Sequence, residues 1–150
     1  MTERPKVEQK NPTQNWRRIW RNIASRGLTP QHREELYILV NEKTEHRQLL
    51  FKMQRADGEN CLHCNVLVET IEHKFSKCPH VLPAWELLQR EIMTAHTGRL
   101  TFNELLRPAL RQVGLISKIH IMKILSNYVN FIKRSNSGID MNELEFILQL

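Results

Sequence analysis

Three cysteines and three histidines lie within one stretch of twenty residues, and this cluster constrains the fold more than any other feature of the sequence. Residues 61–80 read CLHCNVLVETIEHKFSKCPH. The set Cys61, Cys64, His73 and Cys78 has the spacing C-x2-C-x8-H-x4-C, which is typical of a closed tetrahedral zinc site. Thiolate and imidazole are preferred zinc donors, and four protein ligands leave no position for a catalytic water. The pattern therefore predicts one structural Zn²⁺ ion.

The histidine ligand is open to two alternatives, because His63 lies between the first two cysteines and His80 follows Cys78. We favour His73, since this choice leaves room for a helix between the two ligand pairs. Residues 69–77 have helical composition, so His73 can project from a helix while Cys78, before Pro79, approaches from its C-terminal end. The competing interpretation is that the cysteines and histidines coincide by chance in a helical core. The remaining histidines are expected at the surface or in the core: His32, His46, His96 and His120.

The class of protein is bounded by composition and by the ends of the sequence. The chain has 150 residues, 41% hydrophobic and 25% charged, as in an ordinary folded domain of average size. It contains no run of eighteen apolar residues, and its polar first residues do not resemble a secretory signal. Three cysteines are an odd number and a poor basis for a disulfide framework. We therefore expect an intracellular protein, nuclear or cytoplasmic, with no membrane association.

Positive charge is concentrated in the first third of the chain. Residues 1–55 carry 12 Lys/Arg and 6 Asp/Glu (+6), residues 56–100 carry 4 and 6 (−2), and residues 101–150 carry 6 and 4 (+2). Such a basic segment attracts polyanions in a salt-dependent way, although a solvated helix face would look the same. If nucleic acid is bound, five arginines between residues 11 and 33 are the predicted phosphate contacts: Arg17, Arg18, Arg21, Arg26 and Arg33.

The sequence predicts an all-α fold of about seven helices, in four parts. Residues 1–12 are expected to be a flexible leader, 13–58 a basic helical segment, 59–98 the zinc-binding module with a following helix, and 99–150 the C-terminal helices. The helix starts are predicted from caps at Thr29, Thr44, Thr101 and Asp140. Gly27 is predicted to end the first helix, whose apolar stripe contains Trp16, Ile19, Trp20 and Ile23.

The C-terminal helices suggest a different function. Residues 115–132 are apolar over more than half of a helix circumference, so this helix must be buried on two sides. The final helix is also apolar from Phe146 to Leu150. If the domain cannot cover these surfaces, they would bind a protein partner or form a homodimer.

The order of residues in the cysteine cluster resembles a known zinc-binding module. Cys61-x2-Cys64 is followed by Glu69-Thr70, by His73-x-Phe75-x2-Cys78 and by Trp85. This arrangement is similar to the module C-terminal to the reverse transcriptase of non-LTR retrotransposons. The resemblance extends over roughly residues 15–90, since Trp20 and the basic helices upstream also fit the family.

This resemblance implies an RNA- or DNA-binding tail that is not itself an enzyme. In the family, such a tail helps to grip template RNA or target DNA during target-primed reverse transcription. The chain contains no Tyr/Phe-x-Asp-Asp polymerase signature, and no Ser/His/Asp or Cys/His pair suggests another catalytic centre. We interpret Phe75 and Trp85 as the small core that the metal completes, and Glu69-Thr70 as a helix start.

Overall fold

The computed structural model describes residues 4–93, 98–110, 115–135 and 138–149, with backbone only for 115 and 116. Within these ranges the chain forms α-helices, one short π-helical segment and an isolated β-bridge, which confirms the all-α prediction. The π-helical segment is His73–Lys77. The α-helices are α1 Lys6–Lys10, α2 Trp16–Ile23, α3 Pro30–Val40, α4 Arg47–Lys52, α5 Leu82–Met93, α6 Phe102–Leu106, α7 Leu115–Arg134 and α8 Met141–Leu148.

The first residues are more ordered than the sequence suggested. Residues 6–10, expected within a flexible leader, form α1, and Val7 is buried against the core. Glu8 accepts a hydrogen bond from Trp20 Nε1 at 3.0 Å, which ties α1 to α2. The prediction for residues 6–10 was wrong because their partners lie in the next helix, where a local reading of the sequence does not look.

Helix α2 carries the predicted apolar stripe, but it ends earlier than expected. Trp16, Ile19 and Ile23 are buried, while Trp20 is half-buried. The helix ends at Ile23, so Gly27 does not terminate it. A Cβ atom on Gly27 would lie 2.7 Å from Ile119 Cγ2, so this glycine allows the turn after α2 to approach α7 closely.

Three of the four predicted caps are present. Thr29 and Thr101 form capping boxes at α3 and α6, and Asp140 accepts hydrogen bonds from two amides at the start of α8. The exception is Thr44, because α4 begins at Arg47 and the Thr44 hydroxyl is buried without a partner. The predicted end of the following helix near Thr97 lies outside the described residues.

Helix α7 lies at the centre of the fold, packed against α2, α3, α5 and α8. Its described apolar side chains from Ile121 to Ile132 are all buried, as predicted for a helix covered on two sides. The side chain of Leu115 and all of Leu150 lie outside the described residues. In the described part of α8, Leu144 and Leu148 face the core and Phe146 is 66% exposed. None of the described helices is both long and apolar enough to cross a bilayer.

Candidate metal centre

The first two cysteines belong to a tight loop that a β-bridge closes. Asn60 pairs with Val68, and the amide of Cys61 donates to the carbonyl of Leu67 at 2.8 Å. Asn65 has a φ of 58°, a left-handed conformation that asparagine adopts more readily than most residues. This loop therefore turns back on itself immediately after Cys64, as a C-x2-C ligand pair requires.

The other two candidate ligands lie at either end of the π-helical segment. Thr70 Oγ1 accepts a hydrogen bond from the His73 amide at 3.0 Å, which confirms the predicted helix start at Thr70. The amide of Cys78 donates to the His73 carbonyl at 2.9 Å, an i to i+5 bond. Cys78 then adopts an extended conformation (φ −61°, ψ 134°), as expected for a residue before proline.

The four predicted side chains converge on one point. One ligand atom from each of Cys61, Cys64, His73 and Cys78 lies within 4.8 Å of every other. The sulfurs of Cys61 and Cys78 are 3.8 Å apart, and Cys64 Sγ lies 3.6 Å from His73 Nε2. Tetrahedral zinc bonds would place two sulfurs about 3.8 Å apart and a sulfur and a nitrogen about 3.5 Å apart. The cluster therefore has the dimensions and the donor set to hold one zinc ion.

The surroundings of the sulfurs also suit thiolate ligands. Hydrogen bonds from the amides of Val66 and Leu67 lower the pKa of the Cys64 thiol. Burial raises the pKa of the Cys61 thiol to about 11, although the amide of His63 donates to its sulfur at 3.4 Å. A buried thiol of this kind stays protonated near neutral pH unless a cation stabilises its thiolate.

The structure distinguishes His73 from the two alternative ligands. The ring nitrogen that joins the three sulfurs belongs to His73, whereas His63 and His80 stack on each other with centroids 4.0 Å apart and planes 7° apart. Burial and the nearby His63 lower the pKa of His80. The other described histidines do not join this cluster; His46, for example, is buried and its Nδ1 is 2.7 Å from the Thr44 carbonyl oxygen. His96 lies outside the described residues.

Glu69 has a role that the sequence did not predict. Its carboxylate is buried, and Oε1 accepts a hydrogen bond from the Arg47 amide at 2.8 Å. Glu69 thus caps α4, the helix that Thr44 was expected to start. Lys74 makes a second contact with the same region, donating from Nζ to the Glu45 carbonyl at 2.6 Å. These contacts attach the cysteine loop and the π-helical segment to the N-terminal helices.

A small core lies behind the cluster, as the sequence predicted. Phe75 is fully buried, and Trp85 is 8% exposed with its ring edge-on to Tyr128 at 6.1 Å. Tyr128 on α7 donates a hydrogen bond to the carbonyl of Phe75 at 2.6 Å. Burial raises the pKa of the Tyr128 hydroxyl, so it remains a donor at all ordinary pH values.

The arginines predicted to contact phosphates lie on α2, on the turn after it and on α3. Arg17, Arg21 and Arg26 are exposed, whereas Arg18 and Arg33 are half-buried. On α2, Arg17 and Arg21 are one turn apart, on the side opposite the buried stripe.

These features define a helical domain with a Cys₃His cluster fit for one metal ion. A family described as zinc-binding in reverse transcriptase matches residues 5–85, which is 81 of the 150 residues. The chain belongs to this family. The predicted resemblance is thereby confirmed, and the match includes all four candidate ligands and Trp85. No curated protein and no solved structure matches the chain.

Proposed function

We propose that this protein is a zinc-dependent nucleic-acid-binding module that acts beside a reverse transcriptase and is not itself an enzyme. In this proposal one Zn²⁺ ion, held by Cys61, Cys64, His73 and Cys78, stabilises the fold. RNA or DNA then binds to the basic surface of the N-terminal helices. Four protein ligands would leave no coordination position for a substrate or a catalytic water, which supports a structural role for the metal.

The observation that carries the proposal is the basic side of α2. Its buried side anchors the helix in the core through Ile19, while Arg17 and Arg21 point outward. Among the described residues, Arg17, Arg21 and Arg26 make no ion pair with an acid. Their charges are available to phosphates, and we propose that Arg18 and Arg33 complete this basic surface.

Binding of RNA and of duplex DNA at two salt concentrations tests the proposal. Phosphate contacts predict a steep loss of affinity as salt rises, because each contact releases counterions. The triple variant R17A/R18A/R21A should bind more weakly and with a salt slope smaller by about two to three contacts. The double variant R90A/R134A removes exposed cations elsewhere and serves as the control. Absence of binding at low salt would overturn the proposal.

The alternative function, a protein partner or homodimer bound through the C-terminal helices, has less support. The apolar side chains of α7 that prompted it are covered by other helices of the domain. In the described part of α8, Phe146 is the large apolar side chain that remains exposed. A single exposed side chain of this kind is common on soluble domains and is weak support for an interface.

A further inference from the structure

A cavity of about 290 Å³ lies directly beside the cysteine cluster. Cys61 and Cys78 form part of its wall, and α4 and the end of α7 contribute Leu50 and Ile132. Cavities that enclose drug-sized molecules have volumes of roughly 300–1,000 Å³, so this one is suited to a single ring system. The proposed arginine contacts do not line it, and it is therefore a separate feature of the molecule.

The cavity contains a stacked pair of aromatic rings. His63 and His80 both line it, and their planes are nearly parallel. His63 is exposed, while His80 Nε2 is buried without a hydrogen-bond partner. Histidine rings are among the side chains on which unpaired nucleobases stack. A planar ligand that shifted the pair enough to hydrogen-bond this nitrogen would remove the cost of its burial.

The charges of the wall disfavour a phosphate inside the cavity. Zinc with three thiolates would leave one net negative charge behind Cys61 and Cys78. The buried carboxylate of Glu69 also lines the cavity, beside the ammonium group of Lys74. This mixed environment suits a neutral planar group whose edge carries both hydrogen-bond donors and acceptors. A nucleobase has these properties, whereas a phosphate would be repelled by the acidic wall.

We propose that this cavity binds one unpaired nucleobase of a single-stranded RNA or DNA, which stacks on His63. The inference rests on the proposed function, since phosphates of the same strand would contact the protein surface outside the cavity. It adds a second, charge-independent contribution to binding. The zinc site would then have a further role, because the ligand pair Cys61 and Cys64 fixes the position of His63 between them.

The test compares two ten-residue oligonucleotides with identical backbones, one carrying bases and one fully abasic, on the zinc-loaded full chain. We expect the base-bearing strand to bind about tenfold more tightly, since stacking on an aromatic side chain contributes roughly 5- to 150-fold per base. His63→Ala should remove most of this difference and leave binding of the abasic strand unchanged. His63→Phe should keep the difference, because it retains a ring. Val66→Ala, at a 76% exposed position of the same loop, is the matched control.

The outcomes separate this inference from the proposed function. If both strands bind equally well, or if His63→Ala leaves their difference unchanged, the nucleobase site is overturned while nucleic-acid binding stands. If neither strand binds at low salt, the proposed function fails and the nucleobase site fails with it. Zinc content is measured for each variant, so that a change in affinity is interpreted only where the metal is retained at one ion per chain.

Discussion

The cysteine loop and helix α7 are stabilised in opposite ways. In the loop, the large apolar side chains point to solvent: Leu62, Val66 and Leu67 are 65%, 76% and 55% exposed. In α7, the large apolar side chains are buried on several sides by neighbouring helices. Burial of an aliphatic or aromatic side chain contributes about 1.5–3 kcal/mol, so α7 can be held by packing alone. The loop has little apolar burial to hold it.

What holds the loop is a set of directional contacts. The β-bridge between Asn60 and Val68 closes it, and the Glu69 carboxylate attaches its end to α4. The converging Cys₃His cluster provides the remaining constraint. A small module that buries few apolar residues needs such a metal, whereas the rest of the domain does not. The two regions should therefore respond differently to metal removal and to core mutations.

Metal removal should have the largest effect, confined at first to the loop. Zinc binding to small modules contributes about 10–16 kcal/mol, so Cys61→Ser or a strong chelator should unfold residues 59–80. Amide hydrogen exchange of the loop should become fast, while α7 keeps part of its protection. Val66→Ser, on the exposed side of the same loop, is the control. Stoichiometric zinc with unchanged protection in Cys61→Ser would contradict both the ligand assignment and the comparison.

A cavity in α7 should have the second largest effect, with the reverse distribution. Leu125 is fully buried, and truncation to alanine should lower the free energy of unfolding by about 2–5 kcal/mol. Urea unfolding of the zinc-loaded protein measures this change. Zinc stoichiometry should stay at one per chain at low temperature, because the ligands do not depend on α7 for their geometry. His120→Ala, at an exposed position of the same helix, should be close to neutral. Loss of zinc from Leu125→Ala would show that the two regions fold as one unit.

Local rules of sequence account for much of this structure. The caps at Thr29, Thr101 and Asp140 could be predicted because each side chain bonds to backbone only two or three residues away. The ligand set could be predicted for a similar reason, since C-x2-C and H-x4-C bring each ligand pair together within one turn of chain.

The errors all involve contacts between distant residues. Thr44 satisfies the local rule for a cap, yet α4 receives its side-chain hydrogen bond from Glu69, 22 residues further on. Gly27 satisfies the rule for a helix end, but what it provides is space for Ile119. The stacked histidines and the cavity they line were also missed, because His63 and His80 were weighed only as ligands. Pairing of this kind depends on tertiary structure and leaves no periodic signal in one sequence.

The smallest of the expected effects concerns the contact that joins the two regions. Tyr128→Phe keeps the packing of α7 but removes the donor to the Phe75 carbonyl in the π-helical segment between His73 and Cys78. A buried carbonyl left without a partner costs about 1–3 kcal/mol, so urea unfolding should show a loss of this size. Tyr37→Phe, at a 57% exposed position, is the control. Because Phe75 lies between two proposed ligands, competition with a chelator should also show weaker zinc binding. A stability loss without any change in zinc affinity would mean that Tyr128 supports the fold but does not couple α7 to the metal.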